Sequence, residues 1–212
     1  MKNGPLIHTG YSKVWYEKLA ANLSPQWMGV TVVKHPVDLL QYANIVHETR
    51  PDLIVETGTF AGGSALFLAH ICDLVDHGRV LSIDLKTDRT LPPHPRIDYL
   101  LGMSSTSPEV VSHVAKDCDG KRVMVILDSA HNADHVEKEM TLYAPYVAKG
   151  CYLIVEDSNV DGYFLGAGDI NGEGPAEAIK RWQPSNRGFE QDRTREAFGF
   201  TQNPGGFLRR VK

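Results

Sequence analysis

Leu53-Ile54-Val55-Glu56-Thr57-Gly58-Thr59-Phe60-Ala61-Gly62-Gly63-Ser64 decides how the rest of this 212-residue chain reads. The apolar, β-branched run predicts a strand that ends at an acid. Glycines then turn the chain, and apolar periodicity from Ala65 to Val75 predicts a helix. A strand, a glycine turn and a helix N-terminus together make a cofactor cradle. Glycine lets the backbone approach a ligand, and the unpaired amides of the first helical turn face it. Gly58, Thr59, Phe60 and Gly62 are the expected contacts of that cradle. One helix later Val80-Leu81-Ser82-Ile83-Asp84 ends in a second acid, placed to take the hydroxyls of a ribose.

Spacing and charge choose among nucleoside cofactors. A dinucleotide fingerprint reads G-x-G-x-x-G, with pyrophosphate on the helix dipole. Position 60 is Phe here, and Glu56 stands directly before the turn. A carboxylate there repels a pyrophosphate and suits a ligand with an ammonium group. S-adenosylmethionine, with its sulfonium and α-amino groups, fits better than NAD. A ligand-free α/β turn is the plainer alternative.

Composition bounds the answer. The length suits one domain, expected over 1–212, with 1–50 as an N-terminal helical extension and 51–212 as the cofactor- and metal-binding core. Hydrophobic content of 42% and charged content of 23% are those of a soluble globular protein. A net charge of -4 without a basic stripe argues against a nucleic-acid partner. Arg209-Arg210 and the scattered Arg187, Arg193 and Arg195 read as solvated surface. Cys72, Cys118 and Cys151, an odd and sparse set, predict reduced thiols in a cytoplasmic protein. Met1 to Gly10 lacks the apolar core of a signal peptide, and no run approaches membrane-spanning length.

The order of elements predicts an α/β fold with a doubly wound, mostly parallel sheet. Helices are expected at 12–23, 36–48, 64–76, 108–117, 132–147 and 175–182, and strands at 53–57, 79–84, 97–101, 122–128 and 151–157. Val123-Met124-Val125-Ile126-Leu127 and Tyr152-Leu153-Ile154-Val155 are nearly continuous apolar runs, as in central strands buried on both faces. At the C-terminus, Ala197 to Thr201, the turn Asn203-Pro204-Gly205-Gly206 and Phe207 to Val211 predict an antiparallel hairpin. That ending suits the methyltransferase version of the fold better than the dehydrogenase version.

Carboxylates at strand ends suggest a second site. Asp128 closes one strand and Glu156-Asp157 closes the next, beyond the ends where such sheets bind ligands. Three converging anions need a cation, and hard oxygen ligands select Mg²⁺ or a similar divalent ion. Helix capping, or contact of Asp128 with the cofactor, are the alternatives. His131, three residues beyond Asp128, is the candidate general base, with Asp157 or a metal-bound hydroxide as rivals. Lys34 and His35 have weaker support as lining residues, and His135 is expected on a helix surface. The glycine-rich insert Ser158 to Gly174, with Tyr163 and Phe164, reads as a lid over the acceptor.

Glu56-x-Gly58-x-x-x-Gly62-x-Ser64, Asp84, Gly102-Met103-Ser104-Ser105, Asp128 and Glu156-Asp157 together resemble the metal-dependent O-methyltransferases. The resemblance is to the cephalosporin hydroxylase family, which includes natural-product sugar O-methyltransferases, and it runs from about Gly29 to the C-terminus. It implies that Glu56, Gly58 and Ser64 hold the methionine part of the cofactor, that Asp84 binds the ribose, and that Ser104 and Ser105 flank the adenine. It also implies that Asp128, Glu156 and Asp157 carry the metal. In related catechol-type enzymes a lysine base follows the first metal acid by three residues; His131 stands at that position here.

The expected function is transfer of a methyl group from S-adenosylmethionine, with Mg²⁺, to a hydroxyl of a sugar or other small secondary metabolite. Asp128 and His131 are the expected catalytic residues. A nicotinamide-dependent oxidoreductase and a non-catalytic cofactor-binding member of the fold are the rivals. Trp15, Tyr16 and the aromatic hairpin suggest a homo-oligomer.

Overall fold

A seven-stranded sheet carries the candidate site in this computed structural model, which describes residues 14–15, 17–18, 21, 24–86, 88–160, 173–196 and 198–212. Most of the helix expected at 12–23 and most of the lid expected at 158–174 lie outside the described residues.

The described chain opens with a two-stranded ribbon, β1 (Gln26–Trp27) and β2 (Val30–Thr31). Met28 and Gly29 between them both have positive φ, which matches the right-handed twist of a tight hairpin. Helix α1 (Pro36–Thr49) follows, with the His35 ring accepting from the N–H of Val37 as its N-cap. The alternation then runs β3 (Leu53–Thr57), α2 (Gly63–Leu74), β4 (Arg79–Asp84), β5 (Ile97–Leu101), α3 (Pro108–Cys118), β6 (Val123–Leu127), α4 (Ala133–Tyr143), β7 (Tyr152–Val155), α5 (Pro175–Trp182), β8 (Phe189–Gln191) and β9 (Phe207–Arg210). Pro108 occupies the first turn of α3, as expected, behind a Ser107 cap.

Strand order is β5-β4-β3-β6-β7-β9-β8, parallel from β5 to β7 and antiparallel at β9 and β8. The chain winds outward from β3 through β4 to β5, then returns to lay β6 on the other side of β3. The order therefore reverses at β3, and a crevice opens beyond the ends of β3 and β6. Alternation along β3 sends Leu53 and Val55 into one apolar cluster and Ile54 into the other, so the sheet is buried on both faces.

Three expectations need correction. The terminal antiparallel pair is β8 with β9, not 197–201 with 207–211; among the described residues of that first stretch none is a strand. Gly199 turns left-handed there, and Thr201, Gln202 and Asn203 make their hydrogen bonds with α1 and the site instead of a ladder. Phe189 takes the strand position by packing its ring 5.4 Å from Trp182. Arg195 and Arg210 are half-buried and bonded rather than free on the surface: Arg195 donates to Glu48 and to the Tyr152 hydroxyl, and Arg210 to the carbonyls of Pro145 and Val147. His135 turns inward, with its Nε2 3.0 Å from Ser129 Oγ. All three cysteines are free and buried. Among the described residues no helix is long and apolar enough to cross a membrane.

Candidate active site

A cavity of about 330 Å³ lies at the point where the strand order reverses. Gly58, Thr59 and Phe60 from the turn after β3, Ser64 from α2, Asp84 from the end of β4, and Asp128, His131 and Asp157 from the loops after β6 and β7 all line it. The segment from Thr31 to Lys34 forms the remaining wall.

The glycine turn follows from close approach. Gly58 has φ +92°, and a Cβ there would lie 1.9 Å from the Asp128 carbonyl. A Cβ on Gly63 would lie 2.1 Å from the Thr31 carbonyl. Any side chain at either place would push the walls apart. Gly62, left-handed, is the N-cap of α2 and makes no side-chain bond, so no cap side chain covers the amides of the first turn.

Asp84 holds the turn from below. Its Oδ2 accepts from the N–H of Phe60 at 2.9 Å, and its Oδ1 from the N–H of Lys86 at 2.9 Å. Glu56 is fully buried and stands behind the cavity wall. Its Oε2 accepts from Ser82 Oγ at 2.6 Å, while Oε1 has no hydrogen-bond partner among the described residues. Burial pushes its carboxyl up, against the pull of Lys34. Ser104 and Ser105 also stand back from the cavity: Ser105 is buried, its carbonyl accepting from the Tyr143 hydroxyl.

Beyond β6 and β7 the acids converge. Asp128, His131 and Asp157 bring their ligand atoms within 4.8 Å of one another, the spacing of a metal-binding group. His131 Nε2 lies 2.7 Å from Asp157 Oδ2 and 3.7 Å from Asp128 Oδ1. Burial works against charge on this ring, but Asp157 and then Asp128 outweigh it and raise its pKa to about 9. Asp157 is left-handed, with φ +54°, and its N–H donates to Asn203 Oδ1 at 3.0 Å. Asn203 Nδ2 donates in turn to the Tyr42 hydroxyl at 2.7 Å.

Glu156 is not one of that trio but stands close to Asp128, across the Lys34 ammonium. Its Oε2 accepts from Lys34 Nζ at 2.5 Å, and the same ammonium bonds Asp128 Oδ2. Burial raises both carboxyls, and Lys34 pulls them back. Burial likewise opposes charge on Lys34, yet Asp128, Glu156 and Glu56 together hold it well above the usual lysine range. Lys34, a weakly supported lining residue from its place in the sequence, does line the cavity; its bridge between two acids carried no local signal. Asn203 showed only a turn signal, Asn-Pro-Gly-Gly.

The family model for rhamnosyl O-methyltransferase/CmcI matches residues 20–211. The rhamnosyl O-methyltransferase of Mycobacterium leprae is 36% identical over 206 residues, covering 93% of this chain and 88% of the relative. That of Mycobacterium tuberculosis is 34% identical over 203 residues, covering 92% and 81%. A solved structure of CmcI with Mg and SAM superposes with a TM-score of 0.67 at 22% identity over 89% of this chain and 77% of that one, a likeness of fold. With its glycine cradle, acid-ended strands and reversed strand order, the chain belongs to the rhamnosyl O-methyltransferase/CmcI family.

Proposed function

We propose that this chain transfers a methyl group from S-adenosylmethionine, with the help of Mg²⁺, to a hydroxyl of a sugar or another small metabolite. The observation that carries this reading is the meeting of Asp128, His131 and Asp157 at the mouth of the glycine-lined cavity. Family membership and the sugar acceptor named for the mycobacterial relatives support it, and CmcI has been solved with the same cofactor and ion. The nicotinamide reading loses its support in the same step.

The residues fit both groups. The carboxylates of Asp128 and Asp157 are hard oxygen donors suited to a small divalent cation, with the His131 ring beside them. The Gly58 and Gly63 walls, which a Cβ would close, leave room for a nucleoside beside Asp84. When bound, S-adenosylmethionine supplies an electrophilic methyl group, and Mg²⁺ a Lewis acid that lowers the pKa of the acceptor hydroxyl.

The chain's residues do the rest. Asp128 and Asp157 would hold the ion, with Glu156 as the third carboxylate beside them. Gly58, Thr59, Phe60, Gly62 and Ser64 form the cradle, with Glu56 as the buried negative charge behind it. Asp84 fixes the turn and presents its carboxylate to the ribose, and Ser104 and Ser105 back the adenine side. His131, whose Nε2 pairs with Asp157, would accept the acceptor's proton in its neutral form. Positioning of the acceptor for in-line attack supplies the remaining rate. Assembly as a homo-oligomer and a cytoplasmic location belong to this reading on the sequence features above.

Isothermal titration with S-adenosylmethionine, with Mg²⁺ and again with EDTA, tests it together with methyl transfer to a panel of deoxysugar glycosides. The expected result is cofactor binding, a Mg²⁺-dependent heat that Asp128→Ala removes, and transfer to at least one glycoside. Absence of cofactor binding under both conditions would refute the reading.

A further inference from the structure

We propose that Lys34 is a tethered counter-cation, which shares the Asp128–Glu156 carboxylates with the divalent ion and so sets how tightly that ion is held. This rests on the metal-dependent reading above.

The lysine is built into this position from both sides. Val32, buried just before it, donates its N–H to the Pro25 carbonyl at 2.9 Å, and the preceding Thr31 carbonyl abuts Gly63. On the other side, His35 donates its N–H to Gln202 Oε1 at 2.9 Å, and Pro36 starts α1. The side chain is only 4% exposed, so its ammonium has little water to turn to. It lies instead between acids at the ends of two adjacent parallel strands, β6 and β7.

The charges explain why it is there. Asp128, Glu156 and Asp157 put three carboxylates at one mouth, with Glu56 buried nearby. Three close anions cannot all stay ionised in a poorly solvated place without compensation. Lys34, bonded to both Asp128 and Glu156, supplies a positive charge that offsets them before any ion arrives. That same charge repels a divalent ion, because a positive charge a few ångströms away costs several-fold in affinity even at high effective dielectric. Asp128 makes the competition direct. Its Oδ2 bonds Lys34 while its Oδ1 faces His131 in the trio. Glu156 Oε1 is buried without a hydrogen-bond partner among the described residues, so it also has capacity for a cation. The lysine thus exchanges ion affinity for stability of the ion-free protein.

Binding of Mn²⁺, followed by the electron paramagnetic resonance signal of the free ion and without S-adenosylmethionine, separates the possibilities in the full chain. Lys34→Met removes the charge at similar volume; Lys34→Arg keeps it. The Met variant is expected to bind Mn²⁺ at least about tenfold more tightly. Its unfolding midpoint without metal should be lower than that of the wild type, and saturating Mg²⁺ should raise it by more. The Arg variant should bind no more tightly than the wild type. Tight binding by the Met variant with none by the wild type would support the proposal while refuting Mg²⁺ dependence of the natural chain. Equal or weaker binding by folded Lys34→Met would overturn the proposal and leave that dependence standing. An Arg variant that gained affinity like the Met one would also overturn it, since shape rather than charge would then be responsible. Binding by neither protein would overturn both. If Lys34→Met folds only with Mg²⁺ present, the proposal holds; if Mg²⁺ fails to restore folding, it falls.

Discussion

Asp157 donates its backbone N–H to the side-chain carbonyl of Asn203 at 3.0 Å, from a positive φ of +54° that is uncommon outside glycine though better tolerated by aspartate than by most residues. Asn203 is itself held by the Tyr42 hydroxyl of α1, and is 1% exposed. A turn near the C-terminus therefore aims an acid at the end of β7.

Removing that clamp should cost both stability and aim. Asn203→Ala leaves the Asp157 N–H and the Tyr42 hydroxyl without their partner, a cost of about 1–3 kcal/mol in urea unfolding. Affinity for Mn²⁺ should fall as the carboxylate loses its fixed direction. Tyr42→Phe, which keeps the bond to Asp157, should lose less of that affinity. Equal losses in both variants would mean that Asn203 acts on the fold alone.

His131 should titrate far above an ordinary histidine in the metal-free protein. Its proton is held by Asp157 and Asp128 against burial, with a pKa of about 9. Proton NMR of the ring should show a midpoint near that value, and Asp157→Asn should bring it down toward about 6.5. In turnover, His131→Ala should lower kcat by roughly 10²–10⁴-fold, the range for loss of a proton-transfer group. Wild-type turnover in that variant would take the ring out of the chemistry.

Asp38 makes stability depend on pH. It is 1% exposed and accepts from Thr201 Oγ1 and the N–H of Gln202, and burial raises its carboxyl to about 6. The native state thus binds more protons than the unfolded state between about pH 4 and 6. This group's contribution is present below that window and is lost as pH rises through it, by up to about 3 kcal/mol. Asp38→Asn should flatten the decline, whatever constant offset its altered hydrogen bonds add. Urea unfolding of both proteins at pH 4.5 and 7 checks this; parallel profiles would exclude Asp38 as the source.

Gly58→Ala should be severe. The new Cβ would fall 1.9 Å from the Asp128 carbonyl, at a φ of +92° that disfavours any side chain. A loss of several kcal/mol is expected, with S-adenosylmethionine affinity falling even under conditions where the protein stays folded. Calorimetric titration below the unfolding midpoint measures the second effect.

The amino-acid sequence by itself determined the alternation of strands and helices, the glycine turn after β3, the acids at the strand ends and the step from Asp128 to His131. Each is written in spacings of a few residues, where the periods of strand and helix and the freedom of glycine act directly. Tertiary structure alone decided what those acids face. Lys34 reaches Asp128 across 94 positions and Glu156 across 122, and Asn203 reaches Asp157 across 46. Such meetings depend on strand order and on which loops cross the sheet's ends, and no local pattern encodes them. The terminal strand pair shows the same boundary. Ala197 to Thr201 has as good a strand composition as Phe189 to Gln191, and the hydrogen bonds that Asp38 and Tyr42 make to 201–203 select between them.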